Sequence, residues 1–311
     1  MNTNMTYLVT GAAGFIGSAL AKRLLIEGNK VITIDNLSTG FETAIPEGVE
    51  FFKGDCQDYS IVKQLEKYSF DAIFHIAGQS SGEISFDDPV YDLQTNAQST
   101  LLLLKLALKT NCKKFIYAST MSVYGDQPDH KVNEEAMLKP KSFYGVGKVA
   151  SEHYLRIYQQ YGIQSTAMRL FNVYGPGQNL KNLRQGMVSI FLAMALNDKT
   201  ICVKGDKNRF RDFVYIDDIV DAFINSLELN TPVFKIYNVC SGIKTTIETL
   251  INSILSNIQK NINVEYSGST PGDQFGIYGD NTLIKKDLNW SPKISFMEGI
   301  SNMVNWASNL K

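Results

Sequence analysis

The sequence has few of the features that mark a secreted, membrane-bound or nucleic-acid-binding protein. Its four cysteines, Cys56, Cys112, Cys202 and Cys240, are too few and too widely spaced for a CxxC metal site or a disulfide framework. Their spacing indicates reduced thiols in a cytoplasmic protein and no metal centre. Its 30 basic and 31 acidic residues leave a net charge of −1. There is therefore no overall basic field to bind nucleic acid or an anionic membrane.

Long apolar runs are also absent. Residues 7–9 are too few for a signal peptide, and residues 101–104 end at Lys105, which predicts a buried helix face and no membrane span. No internal repeat or low-complexity segment appears. With 44% hydrophobic residues in 311, the chain can build one large α/β domain, or a nucleotide-binding domain with a smaller one appended.

The N-terminal half alternates short β-rich segments with longer helical patterns. Strands are predicted at residues 6–9, 30–34, 49–52, 72–74 and 114–117, with a first helix at 18–27. This alternation predicts a Rossmann-type, doubly wound parallel sheet that binds ligands at the carboxyl ends of its strands. The rhythm changes after about residue 165, where further strands are predicted at 211–216 and 235–239, and helices at 185–196, 247–259 and 297–309.

These patterns predict two parts. Residues 1–165 form a dinucleotide-binding domain, to which residues 211–241 or so return, and residues 166–311 form mostly a smaller substrate-binding lobe.

A glycine-rich motif joins the first predicted strand to the first helix. It reads Thr10-Gly11-Ala12-Ala13-Gly14-Phe15-Ile16-Gly17. Gly11 permits a tight turn, Gly14 lets backbone N–H groups approach a pyrophosphate, and Gly17 lets the helix pack closely on the strand. The anion then lies at the helix N-terminus, where unpaired N–H groups and the helix dipole favour it.

A carboxylate follows each of the next two predicted strands. Asp35, before Asn36, can accept hydrogen bonds from both adenosine ribose hydroxyls and would repel a 2′-phosphate, which predicts NAD over NADP. The alternative role for Asp35 is a turn or cap. Asp55, before Cys56, is equally compatible with a hydrogen bond to the adenine amino group and with a plain turn.

Tyr144 and Lys148 form a YxxxK motif, which places both side chains on one face of a helix. A nearby ammonium favours the phenolate, so we predict that Lys148 lowers the pKa of Tyr144 from its usual value of about 10. Such a tyrosine can act as general base and acid on a substrate hydroxyl. A YxxxK pair alone is usually a surface feature, but Thr120 follows a predicted strand and can hydrogen-bond the same hydroxyl.

Taken together and in order, these motifs resemble an extended short-chain dehydrogenase/reductase of the NAD-dependent epimerase/dehydratase group, most closely the UDP-hexose 4-epimerases. The resemblance extends over nearly the whole chain. It rests on Asp35 and on residues 10–17, 118–125, 144–148, 171–176 and 211–218.

The resemblance implies a role for each matching residue. Tyr144 would be the catalytic base and acid, supported by Lys148 and Thr120. The residues implied in NAD binding are Gly11, Gly14, Phe15, Ile16, Gly17, Asp35, Asn36, Asp55, Cys56, Ala77, Asn96, Tyr144 and Lys148. Those implied in binding a nucleotide-sugar are Thr120, Asn172, Arg211 and Asp273.

Within the substrate set, Asn172 and Arg211 would hold the diphosphate, since guanidinium binds phosphate oxygens in a bidentate manner. His75 ends a predicted strand and is expected to be structural. The resemblance also implies a homodimer formed through helices at about 90–109 and 144–161.

The residues after Thr120 distinguish between reactions. Related dehydratases carry an Asp-Glu pair there, and UDP-glucuronate decarboxylases carry a glutamate at the second position, whereas this chain has Met121 and Ser122. Neither side chain exchanges a proton usefully. Without these carboxylates the remaining groups support reversible oxidation at a sugar hydroxyl. The resemblance to UDP-hexose 4-epimerases implies that this oxidation is at C4 of a UDP-hexose and is followed by rotation of the 4-ketose and reduction on its other face, with NAD regenerated in each cycle.

Alternatives to this prediction remain. One alternative is an NAD-dependent nucleotide-sugar dehydrogenase or reductase, or an epimerase at another carbon, any of which would act on a GDP-, CDP- or dTDP-sugar. Another is a non-catalytic regulator that binds a dinucleotide.

Two segments depart from the family pattern. Where the family carries Arg-x-Gly-Asp, residues 270–273 read Thr-Pro-Gly-Asp. The nucleotide is then held less tightly, or is not uridine, or the missing arginine is replaced by Lys181, Arg184 or Arg209. Residues 79–83 are unusually polar, and Glu83 either touches the sugar or is solvated.

Overall fold

The computed structural model describes residues 4–310. In chain order its strands are β1 (Thr6–Thr10), β2 (Lys30–Asp35), β3 (Glu50–Lys53), β4 (Ala72–His75), β5 (Lys114–Thr120), β6 (Gln164–Leu170), β7 (Asn172–Tyr174), β8 (Ile201–Lys204), β9 (Phe210–Arg211), β10 (Phe213–Tyr215), β11 (Lys235–Val239), β12 (Thr245–Thr246) and β13 (Val264–Ser267). Its α-helices are α1 (Phe15–Ile26), α2 (Tyr59–Lys63), α3 (Pro89–Leu93), α4 (Ser99–Lys109), α5 (Phe143–Tyr158), α6 (Met187–Leu196), α7 (Ile216–Asn225), α8 (Ile247–Ile258), α9 (Thr282–Leu288) and α10 (Phe296–Ser308).

A seven-stranded parallel sheet forms the centre of the fold. Its strand order is β3-β2-β1-β4-β5-β6-β11. The chain builds outward from β1 in one direction to β3, then returns to β4 on the other side of β1. This reversal makes the gap between β1 and β4 the switch point where a parallel sheet opens a crevice for a ligand. The predicted Rossmann-type sheet is confirmed.

The sheet is stabilised by apolar packing on both faces. Successive side chains of a strand point to opposite faces, and in β1 Leu8 and Val9 accordingly enter different core clusters. The Val9 cluster includes apolar residues of α1 and α7, and the Leu8 cluster includes those of α4. A third cluster joins α6, α8 and α10 in the C-terminal part of the chain.

The C-terminal half differs from its predicted organisation in one place. Residues 211–216 are not one strand, because β9 pairs with β12, β10 pairs with β7, and α7 begins at Ile216. The break lies at Asp212, whose carboxylate accepts hydrogen bonds from the backbone of Ser241 and Gly242. Of residues 211–241, β11 is therefore the strand that joins the main sheet. The predicted division at residue 165 falls inside β6, which continues to Leu170.

Two negative findings apply to residues 4–310. No helix there is both long and apolar enough to cross a bilayer. No three His, Cys, Asp or Glu side chains are grouped there so as to hold a metal ion.

Candidate active site

The glycine motif forms a tight loop between β1 and α1. Gly11 has a left-handed backbone, with φ +78°, and Gly14 N–H donates to Gly11 O at 3.0 Å. A Cβ atom at Gly17 would overlap Gly11 O, whereas one at Gly14 would lie 3.2 Å from it. Phe15 and Ile16 open the helix behind an N-cap that has no side chain. The first N–H groups of α1 are therefore open to an anion, as a bound pyrophosphate requires.

Two carboxylates lie beside this loop at the carboxyl ends of β2 and β3. Asp35 accepts hydrogen bonds from Ala13 N at 2.9 Å and from Leu37 N at 2.8 Å, one on each oxygen. Asp55 accepts one from Asn36 Nδ2 at 2.6 Å. The turn role considered for Asp35 is thus real. The two hydrogen bonds to Asp35 leave the second lone pair of each Asp35 carboxylate oxygen available to ribose hydroxyls.

The end of β4 forms the opposite wall of the switch point. Thr10 Oγ1 accepts a hydrogen bond from Ala77 N at 3.0 Å and contacts His75 Nδ1 at 3.0 Å. The other ring nitrogen of His75 contacts Ser99 Oγ at 3.1 Å, and burial lowers the pKa of His75 well below its usual value. His75 therefore holds the wall together as a neutral ring. Cys56, on the other side, is buried, and burial raises the pKa of its thiol.

Lys148 is buried where α5 crosses the end of β5. Its Nζ donates to Ala118 O at 2.8 Å and lies 4.6 Å from the centroid of the Tyr117 ring. Burial lowers the pKa of Lys148 to about 8, against the attraction of Asp92 and Glu152. Only one ammonium hydrogen is used by the Ala118 bond, so others remain for a cofactor or substrate hydroxyl.

Tyr144 and Thr120 meet beside this ammonium. The Thr120 hydroxyl accepts a hydrogen bond from Ser122 N at 3.1 Å and acts to lower the pKa of the Tyr144 phenol. Ser142 caps α5 by accepting a hydrogen bond from the helix backbone. Burial raises the pKa of Tyr144 to about 12, Asp92 adds to the rise, and Thr120 opposes it. The prediction that Lys148 lowers this pKa from its usual value is wrong in this structure. Its Nζ lies 5.7 Å from the centroid of the ring, and desolvation of the phenolate dominates.

Asn96 has two partners that the sequence did not predict. Asn96 Nδ2 donates to Gln79 O at 3.0 Å and to Asp92 Oδ1 at 3.2 Å. Within residues 4–310, Asn96 Oδ1 and Asp92 Oδ2 are buried without a hydrogen-bond donor. A Cβ at Gly78 would lie 2.5 Å from Asn96 Oδ1 and 3.6 Å from Lys148 Nζ. These open polar groups at the end of the crevice fit the hydroxyl-rich end of a dinucleotide.

The residues expected to bind substrate lie on C-terminal segments next to this cluster. Asn172 Nδ2 contacts Met121 Sδ at 3.5 Å and donates to Asp212 O at 3.3 Å, linking β7 to the residue after Thr120. Arg211 is 2% exposed and forms an ion pair with Asp273, which also pairs with Arg209. Asp273 therefore holds two arginine side chains.

The remaining polar groups of interest have partners of their own. Glu83 forms a surface ion pair with Lys204 at 2.9 Å, in which the two side chains are 27% and 58% exposed. Arg184 pairs with Asp87 at 2.7 Å.

The chain is similar to known proteins both in sequence and in fold. Residues 7–240 match the model of the NAD dependent epimerase/dehydratase family. The UDP-glucose 4-epimerase of Mycolicibacterium smegmatis is 34% identical over 314 residues, which cover 98% of this chain and 99% of that protein. The crystal structure of UDP-glucose 4-epimerase from Thermotoga maritima with UDP-glucose superimposes with a TM-score of 0.95 at 32% identity, covering 99% of this chain and 100% of that one. The Thermus thermophilus UDP-glucose 4-epimerase in complex with NAD gives a TM-score of 0.92 at 32% identity, with the same coverage.

Proposed function

The chain belongs to the NAD-dependent epimerase/dehydratase family, and on that premise we propose that it inverts C4 of a UDP-hexose through a transient 4-keto sugar. The observation that carries the proposal is the meeting of Tyr144, Thr120 and Lys148 at the end of β5, followed by Met121 and Ser122. The site has a proton-transfer group for a sugar hydroxyl but no acid beside Thr120 to expel water or a carboxylate. Oxidation and reduction at one carbon is the chemistry that this set supports.

Each residue has a defined task in this reaction. Tyr144 takes the proton of the C4 hydroxyl and returns it after the 4-keto sugar has turned its other face. Thr120 hydrogen-bonds both the phenol and the sugar hydroxyl and so fixes the reacting oxygen. Lys148 supplies positive charge that stabilises the Tyr144 phenolate, which is the form that takes the proton. When bound, NAD supplies the two-electron oxidation and reduction of the sugar carbon.

NAD binding is assigned to the residues around the switch point. The glycine loop and the first turn of α1 receive the pyrophosphate, Asp35 receives the adenosine ribose, and Asn36 with Asp55 and Cys56 borders the adenine. Ala77, Asn96 and Lys148 lie on the nicotinamide side. Substrate binding is assigned to Thr120, Asn172, Arg211 and Asp273.

The test is conversion of substrate without added cofactor. Purified protein is incubated with UDP-galactose, UDP-glucose and their N-acetyl forms, and the configuration at C4 is followed by proton NMR. Interconversion of any pair supports the proposal, and the faster pair identifies the hexose. No change with all four contradicts it. A net rise or fall of NADH absorbance instead points to a dehydrogenase or reductase.

A pair of tyrosine variants assigns the chemistry to its residue. Tyr144→Phe removes the proton-transfer group but little volume, and we expect kcat to fall by about 10²- to 10⁴-fold. Tyr59→Phe is the matched control, since Tyr59 is half exposed on α2 and should keep full activity. Equal activity in the Tyr144 variant would remove Tyr144 from the mechanism.

We propose that the two parts of the chain bind different ligands. Residues 1–165, with β6 and β11 completing the sheet, would bind NAD, and most of 166–311 would bind the nucleotide-sugar. Gly17→Ala should then release NAD, whereas Arg211→Gln should weaken UDP binding and retain NAD. A variant that loses both ligands together would contradict the division.

A homodimer is proposed from an apolar surface on two helices that pack together. Val90 and Leu93 on α3 and Val146 and Ile157 on α5 are 66%, 57%, 54% and 52% exposed. Apolar groups of this size on neighbouring helices are typical of a helix-pair interface. Replacing Leu93 and Val146 together by Glu should give a monomer in analytical ultracentrifugation. Ile26→Glu, at an isolated position that is 73% exposed, should not change the oligomeric state.

A cytoplasmic location is proposed as well. All four cysteines are free thiols, three of them buried, as in proteins of a reducing compartment. Cell fractionation with an antibody against the chain would test this.

A further inference from the structure

Arg209 and Arg211 converge on one carboxylate in the C-terminal part of the chain. Arg211 ends β9 and Arg209 immediately precedes that strand, so their side chains leave the backbone on the same side. Arg209 Nη2 contacts one oxygen of Asp273, and Arg211 Nη2 contacts the other. The two arginine side chains are only 10% and 2% exposed. Two guanidinium groups are therefore held side by side, out of bulk solvent.

The charges at this place do not balance. Each arginine carries one positive charge and cannot be deprotonated under ordinary conditions, while Asp273 supplies one negative charge to both. Lys141 adds no surplus, because its Nζ donates to the backbone oxygen of Asp273 at 3.0 Å and is itself paired with Asp126 at 2.7 Å. Asp206 attracts Arg209, but burial and repulsion from Arg209 still lower the pKa of Arg211. A surplus of buried positive charge is costly unless an anion joins it.

This surplus lies next to the reacting groups. Asn172 is paired with Phe213 in the β7–β10 ladder, two residues beyond Arg211, and its amide reaches the sulfur of Met121, the residue after Thr120. A ligand with its sugar at Tyr144 would therefore extend its phosphates along Asn172 toward the two arginines.

The other cations that the sequence offers are less suitable. The guanidinium of Arg184 is paired with Asp87 and is half exposed. Lys181 lies in an exposed turn, where its backbone is held by Asn179. Thr270, which stands where related chains carry an arginine, has no charge.

We infer that Arg209 binds the diphosphate of the substrate together with Arg211 and so replaces the arginine that is absent at Thr270. The inference rests on the proposed nucleotide-sugar function. Arg209 uses one Nη1 hydrogen on Lys204 O and one Nη2 hydrogen on Asp273, which leaves further N–H donors for bidentate contact with phosphate oxygens. Arg211 contributes its positive charge, because its Nη hydrogens are bonded to Asp273 and to the carbonyl oxygens of Phe210, Phe275 and Gln274. Asp273 keeps them together before substrate binds, and the phosphates add the negative charge that the arginine pair lacks.

The test measures binding of UDP and of uridine to the NAD-loaded protein by isothermal titration calorimetry. Arg209→Gln should weaken UDP binding by about 10- to 100-fold, because it removes charge-assisted hydrogen bonds to phosphate, and should leave uridine binding unchanged. Arg209→Lys keeps the positive charge but not the paired N–H donors of the guanidinium group, so it should lose less UDP affinity than Arg209→Gln. Arg184→Gln is the matched control and should bind UDP as the unmodified protein does. Retained NAD shows that each variant is folded.

Each outcome decides the inference. UDP binding unchanged in Arg209→Gln, equal losses of UDP and uridine, or an equal loss in Arg184→Gln would overturn it. If the unmodified protein prefers GDP, CDP or dTDP, the same comparison is made with that diphosphate, and only the uridine part of the proposed function fails. If it binds none of the four, the inference fails. If it binds UDP but converts no UDP-hexose, the proposed reaction fails, while the Arg209 result still decides the inference.

Discussion

Removing one member of an ion pair buried below the candidate site should strongly destabilise the chain. Glu152, one helical turn after Lys148, accepts hydrogen bonds from Arg169 at 2.9 and 2.7 Å, one on each oxygen. Its side chain is 5% exposed and that of Arg169 is 2% exposed. Ser119, the residue before Thr120, also donates to Glu152 at 2.6 Å. The pair thus fixes α5, β5 and β6 relative to one another.

Glu152→Gln keeps the shape of the side chain but removes its charge, so the Arg169 guanidinium is left buried without a counterion. Removing one partner of a buried pair costs about 3–5 kcal/mol in free energy of unfolding. With a urea m-value of about 3 kcal/mol/M, the unfolding midpoint should fall by about 1–1.7 M. Unfolding can be followed by the fluorescence of the chain's two tryptophans.

Two further variants separate charge from packing. Glu66→Gln breaks an exposed pair with Lys109, whose side chain is 50% exposed, and should cost less than about 1 kcal/mol. The double variant Glu152→Gln with Arg169→Met removes both charges and should recover much of the loss. If Glu152→Gln unfolds within about 1 kcal/mol of the unmodified protein, or the double variant is less stable than the single one, the argument from uncompensated charge is refuted.

Three other predictions concern NAD and pH. Gly17→Ala places a methyl group on Gly11 O, so α1 must move and less than about a tenth of the NAD should remain after gel filtration. Gly14→Ala, whose Cβ would lie 3.2 Å from Gly11 O, should retain more NAD. Equal NAD retention by the two variants would contradict this steric explanation. Asp35→Asn removes the ribose-binding charge and should weaken NAD binding by about 10-fold or more while NADP binding improves relative to it, as competition titrations with the apoprotein would show. Lys148 is protonated below its pKa of about 8, so activity should decline as pH rises through that value. Asp92 raises this pKa, so in Asp92→Asn the decline should begin at lower pH. An unshifted profile of activity against pH would exclude Asp92 as the partner of Lys148.

Features set by short-range pattern were predictable from the sequence. The glycine motif between β1 and α1 depends on three positions in seven residues, and Asp35 follows from the length of one βαβ unit. β11 matches its predicted bounds, because five residues rich in β-formers end at a turn signal. The strand predicted at 211–216 was wrong because Asp212 leaves the ladder to accept hydrogen bonds from residues about thirty positions away.

Features that depend on burial were not predictable. The spacing of Tyr144 and Lys148 places them on one helix face but says nothing of how deeply that face is buried. Burial decides the direction in which both pKa values move. Asp92 and Gln79 carried no signal of their own, since each is an ordinary polar residue until the fold places it against Asn96.

If Arg209 and Arg211 together bind the diphosphate, the absence of an arginine at position 270 need not mean a loss of nucleotide binding. Substrate phosphates respond to the position of positive charge in space, and many sequence positions can deliver a guanidinium to the same place. Strand geometry makes residue 209 such a position, because it lies on the same side of the chain as Arg211, and Asp273 is placed to hold both side chains. A sequence alignment alone would show Thr270 in place of an arginine that binds the nucleotide, and would predict weaker nucleotide binding. The structure instead directs the measurement to Arg209, where a loss of UDP affinity would show that the charge has moved along the chain while the site has stayed in place.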